Sequence, residues 1–235
     1  MRIGSFWSHT FILDLIRPNG TIFDFGVNYG GFSEMAAALC ERVIGFEANP
    51  YWQQNMIALP KNVTVVSKAI AAKRGNATFY VEDQGGPHSS LHKRTEEEKQ
   101  TAIVEAITLD DAFAMQPSWR IELLKIDIEG EELPLLQSTS AEALQRVAQI
   151  SVEFEDYHGE VAVCSVIRRM KSLGFWTVKF SWRNYGDVLF VNKKLEPLSL
   201  AQRANVISIH KYGRGISRMV HRFTGKSLRL HQKQS

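Results

Sequence analysis

The chain has 235 residues, of which 44% are hydrophobic, and it carries a net charge of +3 and two cysteines. This length suits one α/β domain with a sizeable core and does not require a second domain. No run of about eighteen uninterrupted apolar residues occurs, which excludes a membrane-spanning helix. The two cysteines lack the paired spacing of a zinc site and suit a reducing compartment, so we expect a cytoplasmic protein.

We expect a short helical lead-in at residues 1–17. After it, apolar runs alternate with helical patterns along the chain. This alternation is typical of parallel strands joined by crossover helices. Seven strands are predicted, at residues 21–25, 43–47, 63–67, 123–127, 150–154, 176–180 and 188–192. The last two are too close in sequence for a crossover helix and should pair antiparallel. We therefore predict an α/β fold, a Rossmann-like, mostly parallel, seven-stranded sheet with a C-terminal antiparallel hairpin and helices on both faces.

The segment between the third and fourth predicted strands is an insertion. Residues 77–82 and 102–109 have strand-like patterns, and a polar, glycine-rich stretch lies between them. Loops of this kind often cover a ligand site, although a plain surface connection fits the composition equally well.

The positive charge is concentrated near the end of the chain. No acidic residue follows Glu196, whereas basic residues continue as far as Lys233. We therefore divide the chain into a core domain at residues 1–198 and a basic C-terminal tail at residues 199–235. The tail could bind an anionic substrate, a membrane surface or nucleic acid, but a solvated tail is the more ordinary interpretation.

The strongest functional signal is the segment DFGVNYGGFS at residues 24–33, where a strand turns into a helix. Gly26 and Gly30 allow backbone angles and close approaches that a Cβ would block, and the helix start directs N–H groups into the crevice. Asn28 stands where a dinucleotide site has glycine, and its side chain would intrude on a diphosphate. The turn therefore indicates a ligand site and disfavours a dinucleotide.

A second signal is Glu47, at the end of the next predicted strand. At about this separation, an acidic side chain accepts hydrogen bonds from the ribose hydroxyls in nucleotide-binding α/β folds. Together with the turn, Glu47 indicates an adenosine ligand, and Asn28 favours S-adenosylmethionine. The ammonium and carboxylate groups of that ligand suit Asp24, backbone carbonyls and helix N–H groups.

A third signal is the segment LLKIDIEGEE at residues 123–132. An apolar strand ends here by presenting Asp127 and Glu129 at the carboxyl edge of the sheet, with both carboxylates on the same side of the extended chain. Glu131 and Glu132 are explained as acids that complement the dipole of the following helix. We interpret Asp127 and Glu129 as functional.

Five segments of the chain resemble the FkbM-type methyltransferases: DFGVNYGGFS, GFEANP, SKAI, TLDD and LLKIDIEGEE, in this order. This family is a branch of the Rossmann-like S-adenosylmethionine-dependent enzymes and mostly methylates hydroxyl groups of sugars and secondary metabolites. The resemblance implies S-adenosylmethionine as cofactor, S-adenosylhomocysteine as product, and a small-molecule or glycan acceptor.

The resemblance also implies which residues bind the cofactor. The methionine half would lie against residues of the first segment, for which we name Asp24, Gly26, Asn28, Gly30, Phe32 and Ser33. The ribose would lie on Glu47. The adenine would lie near a third set, Ala48, Asn49, Ala69 and Ile70, and Ser90 belongs to a serine pair close to the site.

Methyl transfer from a sulfonium is an in-line displacement, so the protein mainly has to align the acceptor. A base would help a hydroxyl acceptor, and the candidate catalytic residues are Asp127, Glu129 and His158, with His88 as a further histidine. A magnesium site is the competing mechanism, built from carboxylates of Asp127, Glu129, Glu153, Glu155 and Asp156. Nothing in their spacing demands an ion, so we favour a site without metal.

Two other classes of function remain as alternatives. An NAD(P)-dependent oxidoreductase would use the same crevice, but Asn28 and the lack of a Tyr-x-x-x-Lys pair disfavour it. A nucleic-acid methyltransferase would use the basic tail, where Tyr212 and Phe223 are the only aromatic residues for base stacking. The sequence therefore predicts an S-adenosylmethionine-dependent O-methyltransferase acting on a small molecule or sugar.

Overall fold

A computed structural model of the chain describes residues 1–82, 86, 89–92, 100–116, 119–155, 158–181 and 185–208. The strands within this part of the chain are β1 (Ile3–Phe6), β2 (His9–Ile12), β3 (Thr21–Phe25), β4 (Arg42–Phe46), β5 (Val63–Val66), β6 (Ala69–Ile70), β7 (Gly75–Val81), β8 (Gln100–Ile107), β9 (Leu123–Ile126), β10 (Gln149–Val152), β11 (Phe175–Lys179) and β12 (Val188–Asn192). The α-helices are α1 (Gly31–Ala37), α2 (Pro50–Asn55), α3 (Leu109–Ala114), α4 (Glu132–Ser138), α5 (Ala141–Gln145), α6 (Glu160–Ser172) and α7 (Leu200–Asn205).

Seven strands of the described chain form the central sheet, in the order β11-β12-β10-β9-β3-β4-β5. The pairs from β10 through β9, β3 and β4 to β5 are all parallel, whereas β12 is antiparallel to both β10 and β11. All five residues of β3 are buried, as expected for a central parallel strand covered on both faces. The predicted mostly parallel sheet with a C-terminal antiparallel hairpin is confirmed.

The two faces of the sheet pack against different elements. Ile22 of β3 belongs to an apolar cluster that includes Phe32 of α1 and Phe11 of β2. Phe23 and Phe25 belong to a larger cluster on the other face, together with side chains from α3, α4, α5 and α6. This division follows from the strand itself, because successive side chains point to opposite faces. Helices therefore cover both faces, as predicted.

The insertion between β5 and β9 forms a separate sheet of three strands among the described residues, in the order β6-β8-β7. β7 pairs antiparallel with β8 along its whole length, which confirms the strand-like patterns of the insertion. Phe79 and Val104 pack with Ala48, so this sheet lies beside the residues that follow β4. His88 lies outside the described residues.

The N-terminal segment differs from the predicted helical lead-in at residues 1–17. It forms an antiparallel hairpin of β1 and β2, followed by a single 3₁₀ turn at Leu13–Leu15. The side-chain amide of Gln149, in β10, donates to the carbonyl of Ile12 (3.0 Å) and accepts from its N–H (2.8 Å). β2 is buried along its whole length. The prediction of a helix is wrong because these contacts with β10 satisfy an extended backbone and override the local apolar pattern.

The chain divides into two compact units, Arg2–Pro197 and a smaller one comprising Met1 and Leu198–Ser235. In the smaller unit α7 begins with a capping box, in which the side chains of Ser199 and Gln202 each accept from the other's backbone N–H. Residues 209–235, most of the basic tail, lie outside the described residues, so the tail's boundary and role stay predictions. None of the described helices is long and apolar enough to cross a bilayer.

Candidate functional site

The ends of β3, β4 and β9 meet at the carboxyl edge of the central sheet. Gly26, directly after β3, has a φ of +82°, and its N–H donates to the carbonyl of Phe46 at the end of β4 (3.0 Å). A Cβ on Gly26 would lie 1.8 Å from the carbonyl oxygen of Asp127, which follows β9. Only glycine therefore lets the turn pass this close to β9.

Glu47, which follows β4, is held by two backbone groups. Its Oε2 accepts a hydrogen bond from the N–H of Asn28 (2.6 Å), and its Oε1 accepts one from the N–H of Asn49 (2.7 Å). Asn28 has a φ of 55°, which is uncommon outside glycine. Burial raises the pKa of Glu47, and the two N–H bonds oppose that rise. The orientation of the carboxylate is thus fixed, and its remaining lone pairs are available to a ligand.

Asp24 and Lys125 form a buried ion pair beside the glycine turn, with 3.2 Å between Oδ1 and Nζ. The other oxygen of Asp24 accepts from the hydroxyl of Ser33 (2.6 Å), and Lys125 also donates to the carbonyl of Gly26 (2.6 Å). Burial opposes the charged form of Lys125, but Asp24 and Asp127 outweigh it and raise the pKa of Lys125 above its ordinary value. The ammonium therefore stays charged and ties the turn to β9.

Asp127 connects the cleft with polar side chains of the N-terminal hairpin. Its Oδ2 lies 3.4 Å from Nζ of Lys125 and 3.3 Å from Nε2 of His9. Burial raises the pKa of Asp127, but Lys125 and His9 outweigh burial and hold that pKa well below its usual range. Because the side chain is 31% exposed, an ionised carboxylate borders the cleft.

Glu153, which follows β10, completes a group of three side chains. One of its oxygens accepts a hydrogen bond from the hydroxyl of Ser8 in the hairpin turn. His9, Asp127 and Glu153 each offer one possible metal-ligand atom, and these atoms all lie within 4.8 Å of one another. We call these three residues the hairpin cluster.

A cleft lies between the strand ends and the insertion. Its polar side is formed by Glu47, Asp127 and Glu129, and apolar side chains such as Trp52 and Phe79 also line it. Glu129, like Asn28, has a left-handed φ, here 54°. An apolar wall with a few fixed polar groups is typical of a site for an organic ligand.

The structure brings most of the predicted site residues to this cleft. Those that line it are Gly26, Asn28, Glu47, Ala48, Asn49, Ala69, Ile70, Asp127 and Glu129. The predicted residues that are not part of the lining are Asp24, Gly30, Phe32, Ser33, Ser90 and His158.

Three of the residues outside the lining have evident structural contacts. Gly30 is the N-cap of α1, with a φ of 103°. The hydroxyl of Ser90 donates to the carbonyl of His92, whereas the neighbouring Ser89 lines the cleft. Nε2 of His158 lies 3.4 Å from Oε2 of Glu132, away from the lining. A catalytic role for His158 stays a prediction that this geometry does not favour, and Asp156 lies outside the described residues.

Three features of the site were not predicted from the sequence: Lys125, His9 and the apolar wall. A lysine inside an otherwise apolar, buried strand is itself unusual, and that signal could have identified Lys125 as the partner of nearby carboxylates. No comparable signal exists for His9, because its contact with Asp127 depends on the packing of the N-terminal hairpin against β10 through the side chain of Gln149.

Comparison with protein families gives one match that covers most of the chain. The family described as "Methyltransferase FkbM domain" matches residues 24–186. The matched region includes the glycine turn, Glu47, Asp127 and Glu153, but it does not include His9.

Individual relatives are more distant. Methyltransferase 1 of Beauveria bassiana (strain ARSEF 2860) is 25% identical over 114 residues, which is 46% of this chain and 46% of that protein. The crystal structure of a methyltransferase FkbM from Methylobacillus flagellatus KT gives a TM-score of 0.50 at 13% identity and covers 74% of this chain and 44% of that one. The structure of human methyltransferase-like protein 13 in complex with S-adenosylhomocysteine gives a TM-score of 0.46 at 11% identity. It covers 94% of this chain and 92% of that one. This chain therefore spans less than half the length of the first two proteins.

Proposed function

Because this chain belongs to the FkbM methyltransferase family, we propose that it transfers the methyl group of S-adenosylmethionine to a hydroxyl oxygen of a small molecule or glycan. S-Adenosylmethionine is its cofactor. The observation that carries the proposal is the convergence of the glycine turn, the oriented Glu47 and the ionised Asp127 on one cleft.

The cleft has a suitable group for each part of the cofactor. The free lone pairs of Glu47 would accept hydrogen bonds from the two ribose hydroxyls. Trp52 and Phe79 would lie against the adenine, since an aromatic face favours a flat ring. Asp127 and Glu129 would receive the positively charged methionine end.

Asp24 takes a different role in this arrangement from the one the sequence suggested. It is fully buried and already bonded to Ser33 and Lys125, so it does not reach the cleft. Its contribution would be to hold Lys125 and the glycine turn in place, rather than to contact the ammonium of the ligand.

The reaction needs the acceptor oxygen in line behind the methyl carbon. A lone pair of that oxygen forms the new C–O bond, the C–S bond breaks with its electron pair remaining on sulfur, and the hydroxyl proton leaves to water. Asp127 borders the cleft and would accept a hydrogen bond from the hydroxyl, which orients the oxygen. Such alignment is worth up to about 7 to 11 kcal/mol in favourable cases.

Calorimetric titration with S-adenosylhomocysteine tests the cofactor part of the proposal. We expect the unmodified chain to bind it, and Glu47→Gln to weaken binding by about 1 to 3 kcal/mol, because a charge-assisted hydrogen bond is lost. Glu142→Gln, on the exposed side of α5, is the matched control and should bind normally. Equal affinity in both variants would contradict the ribose assignment, and binding of NAD alone would contradict the proposed use of the cleft.

The acceptor part is tested by Asp127→Asn, which keeps the shape of the side chain and removes its charge. Methyl transfer from labelled cofactor into a metabolite extract would first identify an acceptor. With that acceptor, Asp127→Asn should lower turnover more than it lowers affinity for S-adenosylhomocysteine. Equal losses in both quantities would make Asp127 a cofactor contact only.

A further inference from the structure

The hairpin cluster lies next to Asp127, on the side of the cleft formed by β2 and β10. We propose that His9, Asp127 and Glu153 bind one divalent transition-metal ion, such as Mn²⁺, and that this ion holds the acceptor oxygen beside the cofactor. The role of the ion rests on the proposed function, whereas its binding does not.

The three side chains of the hairpin cluster come close enough together to share one ion. The three candidate ligand atoms lie within 4.8 Å of one another, and they come from three separate elements, β2 and the ends of β9 and β10. Ligand atoms at about 2.0 to 2.2 Å from one ion lie within about 4.4 Å of one another, so atoms as far apart as 4.8 Å would have to approach when the ion binds. Three protein ligands leave coordination positions open, as in catalytic metal sites. The acceptor oxygen would occupy one of them.

His9 is buried with one ring nitrogen that a metal ion would satisfy. Its side chain is only 2% exposed, and Nε2 points to Asp127 Oδ2 at 3.3 Å. Despite this proximity, the buried Nε2 has no hydrogen-bond partner of good geometry among the described residues. An imidazole nitrogen that is buried without such a partner is unfavourable, and coordination to a cation would satisfy it.

Each candidate ligand also has a supporting contact outside the cluster. Nδ1 of His9 lies 3.4 Å from the hydroxyl of Ser151, Glu153 accepts from Ser8, and Asp127 lies 3.4 Å from Lys125. Metal ligands in proteins are usually oriented by such contacts, and a histidine ligand typically directs its second ring nitrogen to an oxygen.

Most of the ionisable groups around the cluster are acidic. Asp24, Asp127 and Glu153 contribute three carboxyl groups, whereas Lys125 contributes one ammonium, and such a group of oxygens favours a cation. From the sequence we favoured a site without metal, because nothing in the spacing of the carboxylates demands an ion. The imidazole of His9, which the sequence did not place at this edge, shifts the donor set from magnesium towards a transition metal.

The test is a titration of the full chain, freed of metal by a chelator, with Mn²⁺ as the probe and electron paramagnetic resonance as the measure of free Mn²⁺. We expect one saturable site per chain, and affinity at least about tenfold weaker in His9→Ala and in the nearly isosteric Glu153→Gln. His92→Ala is the matched control, because His92 also pairs with a glutamate, Glu131, outside the cluster (2.8 Å). The affinity of His92→Ala for Mn²⁺ should equal that of the unmodified chain.

Two outcomes would overturn the metal site: no saturable binding of Mn²⁺, or the same affinity in all four proteins. Calorimetry with S-adenosylhomocysteine in the presence of chelator separates this inference from the proposed function. Binding of S-adenosylhomocysteine without binding of Mn²⁺ removes only the metal site, whereas Mn²⁺ binding without S-adenosylhomocysteine binding removes only the cofactor cleft. Retained S-adenosylhomocysteine binding by Glu153→Gln also shows that this variant is folded.

Discussion

The two sides of the cleft are built in different ways. On one side, which we call the cofactor side because we propose that it binds the cofactor, the glycine turn and Glu47 are arranged largely by backbone groups. Two of these groups are the N–H groups of Asn28 and Asn49. On the hairpin side, Ser8 and Glu153 are 145 residues apart and meet only through side chains. The cofactor side is therefore encoded locally, whereas the hairpin side depends on the complete fold.

This difference matches the extent of the family. The family match begins at residue 24, so it contains the cofactor side but not β1 or β2. If the hairpin cluster holds the acceptor as proposed, acceptor choice depends on the hairpin, whose turn also carries Trp7, 83% exposed and with a φ of 50°.

The largest loss of stability is expected at Lys125, which contacts both sides of the cleft. Lys125→Met removes the ammonium that lies between Asp24 and Asp127 and leaves the buried carboxylate of Asp24 without its cation. We expect a loss of about 3 to 5 kcal/mol in the free energy of unfolding, measured by chemical denaturation. Lys194→Met, at an exposed position, is the control and should be near neutral. A loss below about 1 kcal/mol for Lys125→Met would mean that the ion pair does not hold the two sides together.

Gly26→Ala should cause a smaller loss of stability than Lys125→Met and should disturb only the cofactor side. Its Cβ would collide with the carbonyl of Asp127, and the left-handed φ adds about 1 to 3 kcal/mol of strain. Gly75→Ala is a matched control, because Gly75 has a positive φ but no atom near the added Cβ. Both variants should lose stability, and only Gly26→Ala should also lose affinity for S-adenosylhomocysteine in calorimetry. Normal affinity in Gly26→Ala would contradict the close approach of the turn to β9.

A change confined to the hairpin side is Gln149→Leu. It leaves the N–H and the carbonyl of Ile12 without their partner, which should destabilise the chain by about 1 to 3 kcal/mol in denaturation experiments. Affinity for S-adenosylhomocysteine should stay normal, and Gln137→Leu, at an exposed position of α4, should change neither quantity. If Gln149→Leu also weakened cofactor binding, the two sides would not be separable.

The smallest loss of stability is expected from removing the charge of Asp14, at the edge of the hairpin. The carboxylate of Asp14 accepts hydrogen bonds from the backbone N–H and from Nε of Arg2. Burial tends to raise the pKa of Asp14, but the contacts with Arg2 lower it below its usual value. Its contribution is therefore present at neutral pH and declines as the pH falls below about 4, where the unfolded carboxylate takes up a proton. Because the pair is exposed, Asp14→Asn should cost at most about 0.5 kcal/mol at pH 7. A difference from the unmodified chain that persisted at pH 2 would contradict this origin.

The same contrast explains what the sequence could reveal. The central sheet, its C-terminal hairpin and the positions of Glu47 and Asp127 were predictable, because alternation and strand ends are local patterns. The N-terminal hairpin was not, since the apolar run at residues 11–16 suits a helix until Gln149 is placed beside it. Lys125 was visible in the strand but had no assigned partner, because the pairing of β3 with β9 decides that it meets Asp24.

Roles within the predicted cofactor segment were also only partly readable. Asn28 was expected to exclude a diphosphate by its side chain, yet the structure uses its left-handed backbone to direct an N–H to Glu47. Ser33 was expected near the ligand, but it bonds to Asp24 below the turn. Sequence patterns locate such residues, whereas the direction of each side chain depends on the packed neighbours.

The most direct test of one cleft with two distinct sides is a crystal structure of the full chain with S-adenosylhomocysteine. We expect both ribose hydroxyls to lie within hydrogen-bonding distance of the Glu47 carboxylate, and the sulfur to face the hairpin cluster. A ligand bound elsewhere, or one whose sulfur points towards Trp52 and away from Asp127, would contradict this expectation.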